Sequence, residues 1–175
     1  IPGDGWLPLL DDCLASGVIS IMFEGGEPLH RPDFLMVLRH VARRAMTRLR
    51  TNGTLVDAAM AASLRDANLG DAMVDLLGAT ADTHDALTGV PGSHARCLDG
   101  IRALREAGLP VTLLVILNRR NIAELQAILN LAHDVGAEAV GVLRPYPLGR
   151  MRKNWAELSL SLPEMMEAIA ALQPP

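Results

Sequence analysis

Aromatic residues are scarce in this chain, 3% of its 175 residues. Its core must therefore pack aliphatic side chains and alanine, which the 50% hydrophobic content supplies. The length suits one domain with a substantial core. Cysteine is nearly absent: Cys13 and Cys97 lie far apart, each in an expected helix, and read as inert packing thiols, not as a disulfide. Lysine is rarer still, Lys153 being the single one, and the net charge of −4 gives no electrostatic case for nucleic acid. The longest largely apolar run, Val111 to Leu117, has the length of a strand, so neither a signal peptide nor a membrane span is expected and the chain reads as cytoplasmic. An initiator Met is also missing. The sequence opens at Ile1, just before an expected helix at Trp6 to Ala15, and reads as a piece of something longer.

What is present is organised around Phe23-Glu24-Gly25-Gly26-Glu27-Pro28. The run Val18 to Met22 before it is expected to form a strand buried on both faces. The two glycines at its exit allow a positive φ or a close approach of ligand to backbone. Pro28 brings no donor and pushes Glu27 toward an extended conformation. A strand exit with bare carbonyls and a carboxylate suits an ammonium group, whereas a phosphate site would present N–H donors. On this reading the Glu27 carboxylate serves the ligand, and its replacement costs the fold little.

The remaining elements alternate. Pro32 opens a helix to about Arg44, Met46 to Arg50 is a weak strand, and Thr54 caps a helix from Leu55 to about Ala67. Ala72 to Leu77 is the next strand, followed by a loop of some fifteen residues, Gly78 to Gly92, long enough to be functional or mobile. Ser93 caps a helix that ends at Gly108. Val111 to Leu117 is the strongest strand. Asn121 and Glu124 form a cap-like pair opening a helix closed by Gly136. Ala139 to Leu143 is the last strand, and a connector, Arg144 to Lys153, leads to a helix begun by Pro163. Alternation without hairpins calls for an α/β fold of parallel strands joined by right-handed crossovers, either an open doubly wound sheet or part of a β/α barrel. In both, ligands bind at the C-terminal ends of the strands. Those ends are Glu24-Gly25-Gly26-Glu27, Thr51-Asn52, Asp75, Asn118 and Leu143-Arg144, all but the last polar.

Gly25-Gly26-Glu27-Pro28, followed one βα unit later by Thr51-Asn52-Gly53-Thr54-Leu55, resembles the radical S-adenosylmethionine superfamily. The segments Gly78-Ala79-Thr80 to His84-Asp85, Gly89-Val90-Pro91-Gly92-Ser93, Asn118 to Leu125 and Pro147-Leu148-Gly149-Arg150 are similar to later parts of the same pattern. The resemblance is greatest to the SPASM-type branch, which matures peptides and modified haems. It implies a partial (β/α)6 barrel holding strands two to six of six, with residues 1–175 forming a barrel fragment. It also implies that Gly25, Gly26 and Glu27 hold the methionyl ammonium of S-adenosylmethionine, with Pro28 setting the turn. Thr51, Asn52, Asp75, Asn118 and Leu143 would line the rest of that cofactor. The implied chemistry is reductive cleavage of the sulfonium by a [4Fe–4S] cluster, and hydrogen abstraction by the resulting 5′-deoxyadenosyl radical. A peptide or small-molecule substrate and an electron donor such as flavodoxin or ferredoxin are the implied partners, without nucleic acid or membrane.

Two departures from the pattern stand out. The family's Cys-x-x-x-Cys-x-x-Cys loop is absent, so the cluster ligands are expected outside this chain, which alone would be inactive. Where the family often has Ser-Leu-Asp-Gly, this chain has Asp75-Leu76-Leu77-Gly78. Two other readings stay open: a degenerate barrel used for docking, and an unrelated β/α enzyme using Glu27 as an acid or base. His84-Asp85 is either an acid–base pair or a loop lock, and His30, His40, His94 and His133 show no ligand spacing and read as surface residues.

Overall fold

A computed structural model describes residues 3–175, the side chain of Arg150 excepted. Strands β1 (Ser20–Phe23), β2 (Met46–Thr51), β3 (Asp71–Asp75), β4 (Val111–Ile116) and β5 (Ala139–Leu143) form one parallel sheet in the order β1-β2-β3-β4-β5. The α/β reading and the expected parallel partial barrel thus hold. Helices α1 (Leu7–Ala15), α2 (Phe34–Val41), α3 (Ala58–Asp66), α4 (Ala81–Thr88), α5 (Ser93–Glu106), α6 (Leu125–Asp134), α7 (Gly149–Lys153), α8 (Trp155–Leu158) and α9 (Leu162–Ala170) lie before, between and after the strands. Backbone contacts divide the chain into two compact units, one running to Val74 and including Arg96–Thr112, the other comprising Asp75–Ala95 and Leu113–Pro175.

In the first unit the register pairs Phe23 with Leu49 and Leu49 with Ala72, while Met22 pairs with Arg48 and Arg48 with Asp71. Because side chains alternate along a strand, these two rows lie on opposite faces. The first row is the core face: Leu49 and Ala72 are fully buried, and Phe23 meets Phe34 of α2 edge to face at 5.5 Å between ring centres. Leu38 and Val41 of α2, Ala61 and Leu64 of α3 and Ile101 and Leu104 of α5 complete this aliphatic core. The second row carries Met22, Arg48 and Asp71, and Arg50 follows on the same face beside Met73. The expectation of a strand buried on both faces fails: Ile19, just before β1, is 83% exposed and Met22 within it 45%. An apolar run does not reveal how many neighbours a strand has, and β1 ends the sheet order.

Three local expectations are also corrected. Asp57, not Thr54, caps α3, accepting the Met60 N–H at 2.7 Å. Pro32 lies in a turn, and α2 begins after it, at Phe34. Asn121 makes no cap hydrogen bond at the 3-10 turn Ile122–Glu124, because its side chain is used elsewhere.

In the second unit the expected fifteen-residue loop contains α4, capped by Thr80 through the Thr83 N–H. The Glu124 carboxylate anchors its start, accepting from Ala79 N–H at 2.7 Å and from the Thr80 and Thr83 hydroxyls. Burial raises the pKa of Glu124, but the hydrogen bonds from Thr83, Ala79 and Thr80 outweigh it and leave the group below its ordinary value. A capping box at Ser161 and Glu164, which sequence reading missed, starts α9. Hydrogen bonds from Ser161 and Arg119 lower the Glu164 pKa to about 2.

Candidate functional site

The first unit brings six of the expected site residues together: Gly25, Gly26, Glu27, Pro28, Thr51 and Asn52. Glu27 is extended, at φ −133° and ψ 110°, as the following proline requires. Its carboxylate is a clamp. Oε1 accepts from the Thr51 hydroxyl at 2.8 Å and from Leu29 N–H at 3.1 Å, and Oε2 accepts from Asn52 N–H at 2.8 Å. One side chain therefore ties the exits of β1 and β2 together and caps the turn Pro28–His30. The expectation that Glu27 could be replaced at little cost to the fold is corrected by these bonds.

The Asn52 amide is also anchored. Its Oδ1 accepts from the Thr54 N–H at 2.9 Å and the Thr54 hydroxyl at 2.7 Å, closing the turn that contains Gly53. Thr51 Oγ1 meanwhile accepts from Gly53 N–H at 3.1 Å.

The glycines are the open part. A Cβ built on Gly25 or Gly26 would meet nothing within 4 Å, and Gly25 has φ +154°. Neither carbonyl accepts a turn or loop hydrogen bond among the described residues. A cleft of about 500 Å³ runs along this segment, walled by Trp6, Leu10, Phe23 and Phe34. The geometry is a fixed turn with unfilled space and bare acceptors beside it.

The other three expected residues belong to the second unit. Asn118 is buried and spends its side chain on its own turn: Oδ1 accepts from Arg120 N–H at 3.0 Å and Nδ2 donates to the Ile116 carbonyl at 3.0 Å. Leu143 ends β5, its carbonyl accepting from Leu117 N–H at 2.9 Å. Asp75 ends β3 half-buried. Asn121, fully buried, was read as a cap and is instead a strap. Its Nδ2 donates to the Leu77 and Ile116 carbonyls and its Oδ1 accepts from Asn118 N–H, joining the exits of β3 and β4.

His84 and Asp85 form the loop lock of the two alternatives. Asp85 accepts from Ser93 Oγ at 2.9 Å, from His94 N–H at 2.8 Å and from Gly92 N–H, binding α4 to the start of α5. The backbone N–H of His94 leads the causes that hold its carboxyl below the usual range. His84 is buried, its Nδ1 accepts from Leu77 N–H at 3.2 Å, and its ring lies 5.4 Å from that of His94. Burial, then repulsion by His94, lowers its pKa to about 4. His94 was expected at the surface, yet its Nε2 is buried without a hydrogen-bond partner.

Residues 7–132 match the family model described as the Radical SAM superfamily. The chain belongs to that superfamily. It is 35% identical over 142 residues to an AdoMet-dependent heme synthase of Methanosarcina barkeri, a match covering 81% of this chain and 41% of the relative. It is 31% identical over 171 residues to a PqqA peptide cyclase of Rhodopseudomonas palustris, covering 97% of this chain and 45% of that one. The chain thus spans less than half the length of either relative, and their names fall in the peptide- and haem-maturing branch that the motifs resemble. Among solved structures, Streptococcus suis SuiB bound to S-adenosylmethionine shares the fold, with a TM-score of 0.72 at 18% identity over 87% of this chain and 37% of that one.

Proposed function

We propose that this chain is the cofactor-holding part of a radical S-adenosylmethionine enzyme acting on a peptide or on a cofactor precursor. The carrying observation is the Glu27 clamp, which fixes the strand exit while leaving Gly25 and Gly26 open. That geometry fits the amino-acid end of the cofactor. The bare glycine carbonyls take the ammonium as acceptors, and the half-exposed Glu24 carboxylate supplies a compensating charge. The lack of a side chain lets the ligand approach the backbone. Glu27, Thr51 and Asn52 then act as positioning residues, holding the turn through their mutual hydrogen bonds. Pro28 sets the turn, and cofactor contact by Asp75, Asn118 and Leu143 of the second unit stays part of the proposal on the resemblance alone.

In this superfamily a [4Fe–4S] cluster, when bound, supplies the electron that cleaves the sulfonium. The described residues do not fit it: no three His, Cys, Asp or Glu side chains among them are grouped to hold a metal, and Cys13 and Cys97 are separate free thiols. On this reading the ligands lie outside the chain, which alone is inactive, and the whole protein draws electrons from a flavodoxin- or ferredoxin-like donor. The peptide and haem-precursor substrate classes rest on the relatives' names. No helix among the described residues is long and apolar enough to cross a membrane.

The test is anaerobic incubation of the full-length, cluster-loaded protein with S-adenosylmethionine and dithionite. Formation of 5′-deoxyadenosine is expected. Binding of S-adenosylmethionine without any 5′-deoxyadenosine would leave the docking module as the better reading.

A further inference from the structure

We infer that the connector leaving β5, residues 144–153, docks an acidic segment of the peptide on which the enzyme acts. Arg144, Arg152 and Lys153 take its carboxylates, and Tyr146 and Leu148 take an apolar side chain between them. The inference rests on the peptide reading above and deepens it by naming the character of that peptide.

The connector holds Arg144, Arg150, Arg152 and Lys153 and no acidic residue, in a chain of net charge −4. It is a local reversal of sign on an acidic chain, the pattern that draws in and orients a partner of opposite charge. What the cations do inside the fold sets them apart. Elsewhere in the second unit Arg119 is paired with Glu164 at 3.0 Å, and Arg120 with Glu157. Arg152 and Lys153 are exposed and meet no acid among the described residues. Arg144 is exposed as well, its guanidinium 5.9 Å from the centre of the Tyr146 ring.

Apolar groups stand out beside these charges. Tyr146 is 65% and Leu148 75% exposed, although Pro145 just before them is buried. The backbone holds them so: Leu148 N–H donates to the Tyr146 carbonyl at 2.7 Å, and Met151 N–H to the Leu148 carbonyl at 3.1 Å. Pro145 and Pro147 fix φ on either side of Tyr146. A segment already bent and stiffened loses little freedom when it binds a partner. Its place also matters, because it begins at the exit of β5, the edge of a parallel sheet where ligands bind. Arg39 and Arg43 are exposed without an acidic partner among the described residues too, but they lie at the end of α2, ahead of a strand entry. The acidic remainder of the chain repels a long uniform polyanion such as nucleic acid, whereas a short acidic segment needs to meet only the connector.

The probes are fluorescent synthetic peptides of equal length built on the repeats Glu-Glu-Leu-Gly, Gln-Gln-Leu-Gly and Glu-Glu-Ser-Gly, beside a single-stranded oligonucleotide. Each is titrated by anisotropy into the full-length, cluster-loaded protein. Glu-Glu-Leu-Gly should bind roughly tenfold more tightly than either other peptide, and added salt should shrink its margin over Gln-Gln-Leu-Gly. Joint Arg152→Glu and Lys153→Glu should abolish that margin, whereas joint Arg39→Glu and Arg43→Glu, an equal change of net charge, should keep it. Joint Tyr146→Ser and Leu148→Ser should remove the preference for leucine over serine. Because each margin is a ratio within one preparation, a loss of folded protein does not imitate it. Binding that ignores glutamate, a margin lost equally in both charge-reversed variants, or an oligonucleotide bound as tightly as Glu-Glu-Leu-Gly would overturn the inference. Formation of 5′-deoxyadenosine from S-adenosylmethionine and dithionite is measured in the same preparations. Its presence beside any of those results leaves the parent reading intact. Its absence from the wild type overturns the parent reading, and the docked peptide's role as substrate with it.

Discussion

Each hydrogen bond to the Glu27 carboxylate restrains a different piece of backbone: the Pro28–His30 turn, the end of β2 and the residue after it. Glu27→Gln keeps one acceptor oxygen but turns the other into a donor that faces an N–H. The expected cost is about 1–3 kcal/mol, a fall in melting temperature of roughly 2–4 °C per kcal/mol for a chain of this size. A thermal melt indistinguishable from wild type would show that the clamp carries no load. The sequence singled out Glu27 but did not show it as a clamp, because its partners Thr51 and Asn52 are a whole βα unit away. His84 carries a second prediction at this scale. Its folded pKa of about 4 lies below the unfolded value of 6.5, so the unfolded chain binds the proton more readily. Its contribution is complete above pH 6.5 and is lost as the pH falls toward 4, on the order of 3 kcal/mol in full. Melting temperature should therefore drop between pH 6.5 and 4, and an NMR titration of the His84 ring should show no midpoint near 6.5. A midpoint there would contradict the buried neutral ring.

At the scale of elements, strands and helices with long apolar stripes were readable, and those held by polar hooks were not. Helix α4 buries His84 alone, so no apolar periodicity marks it, and it was read as loop. What holds it is the Thr80 cap, the Glu124 carboxylate from the turn just before α6, and Asp85, which reaches the start of α5. The packing of α5 was equally hidden. A Cβ on Gly100 would come within 2.1 Å of the Gly53 carbonyl oxygen, so the helix rests directly on the turn after Asn52. Gly100→Ala forces backbone apart there and should cost about 1–3 kcal/mol, read as a lower melting temperature. An unchanged melt would mean that the helix shifts freely over that turn.

For the whole molecule, alternation along the chain sufficed to indicate a parallel α/β sheet, and the order of motifs sufficed to indicate the superfamily. The division into two compact units was not legible, since β3 and β4 each pass from one unit to the other within a single strand. Nor does sequence alone lead to the proposal that the cofactor's ammonium is left to backbone carbonyls once the Glu27 side chain is committed. That is the central claim, and Gly26→Val separates it from a structural role. The built Cβ meets no atom within 4 Å and Gly26 lies past the end of β1, so the thermal melt should stay near that of wild type. The measurement is calorimetric titration of S-adenosylmethionine into the full-length, cluster-loaded protein and its Gly26→Val variant. The account predicts binding weakened at least tenfold at an unchanged melting temperature, because the valine fills space the ligand needs. Undiminished affinity in Gly26→Val would contradict it.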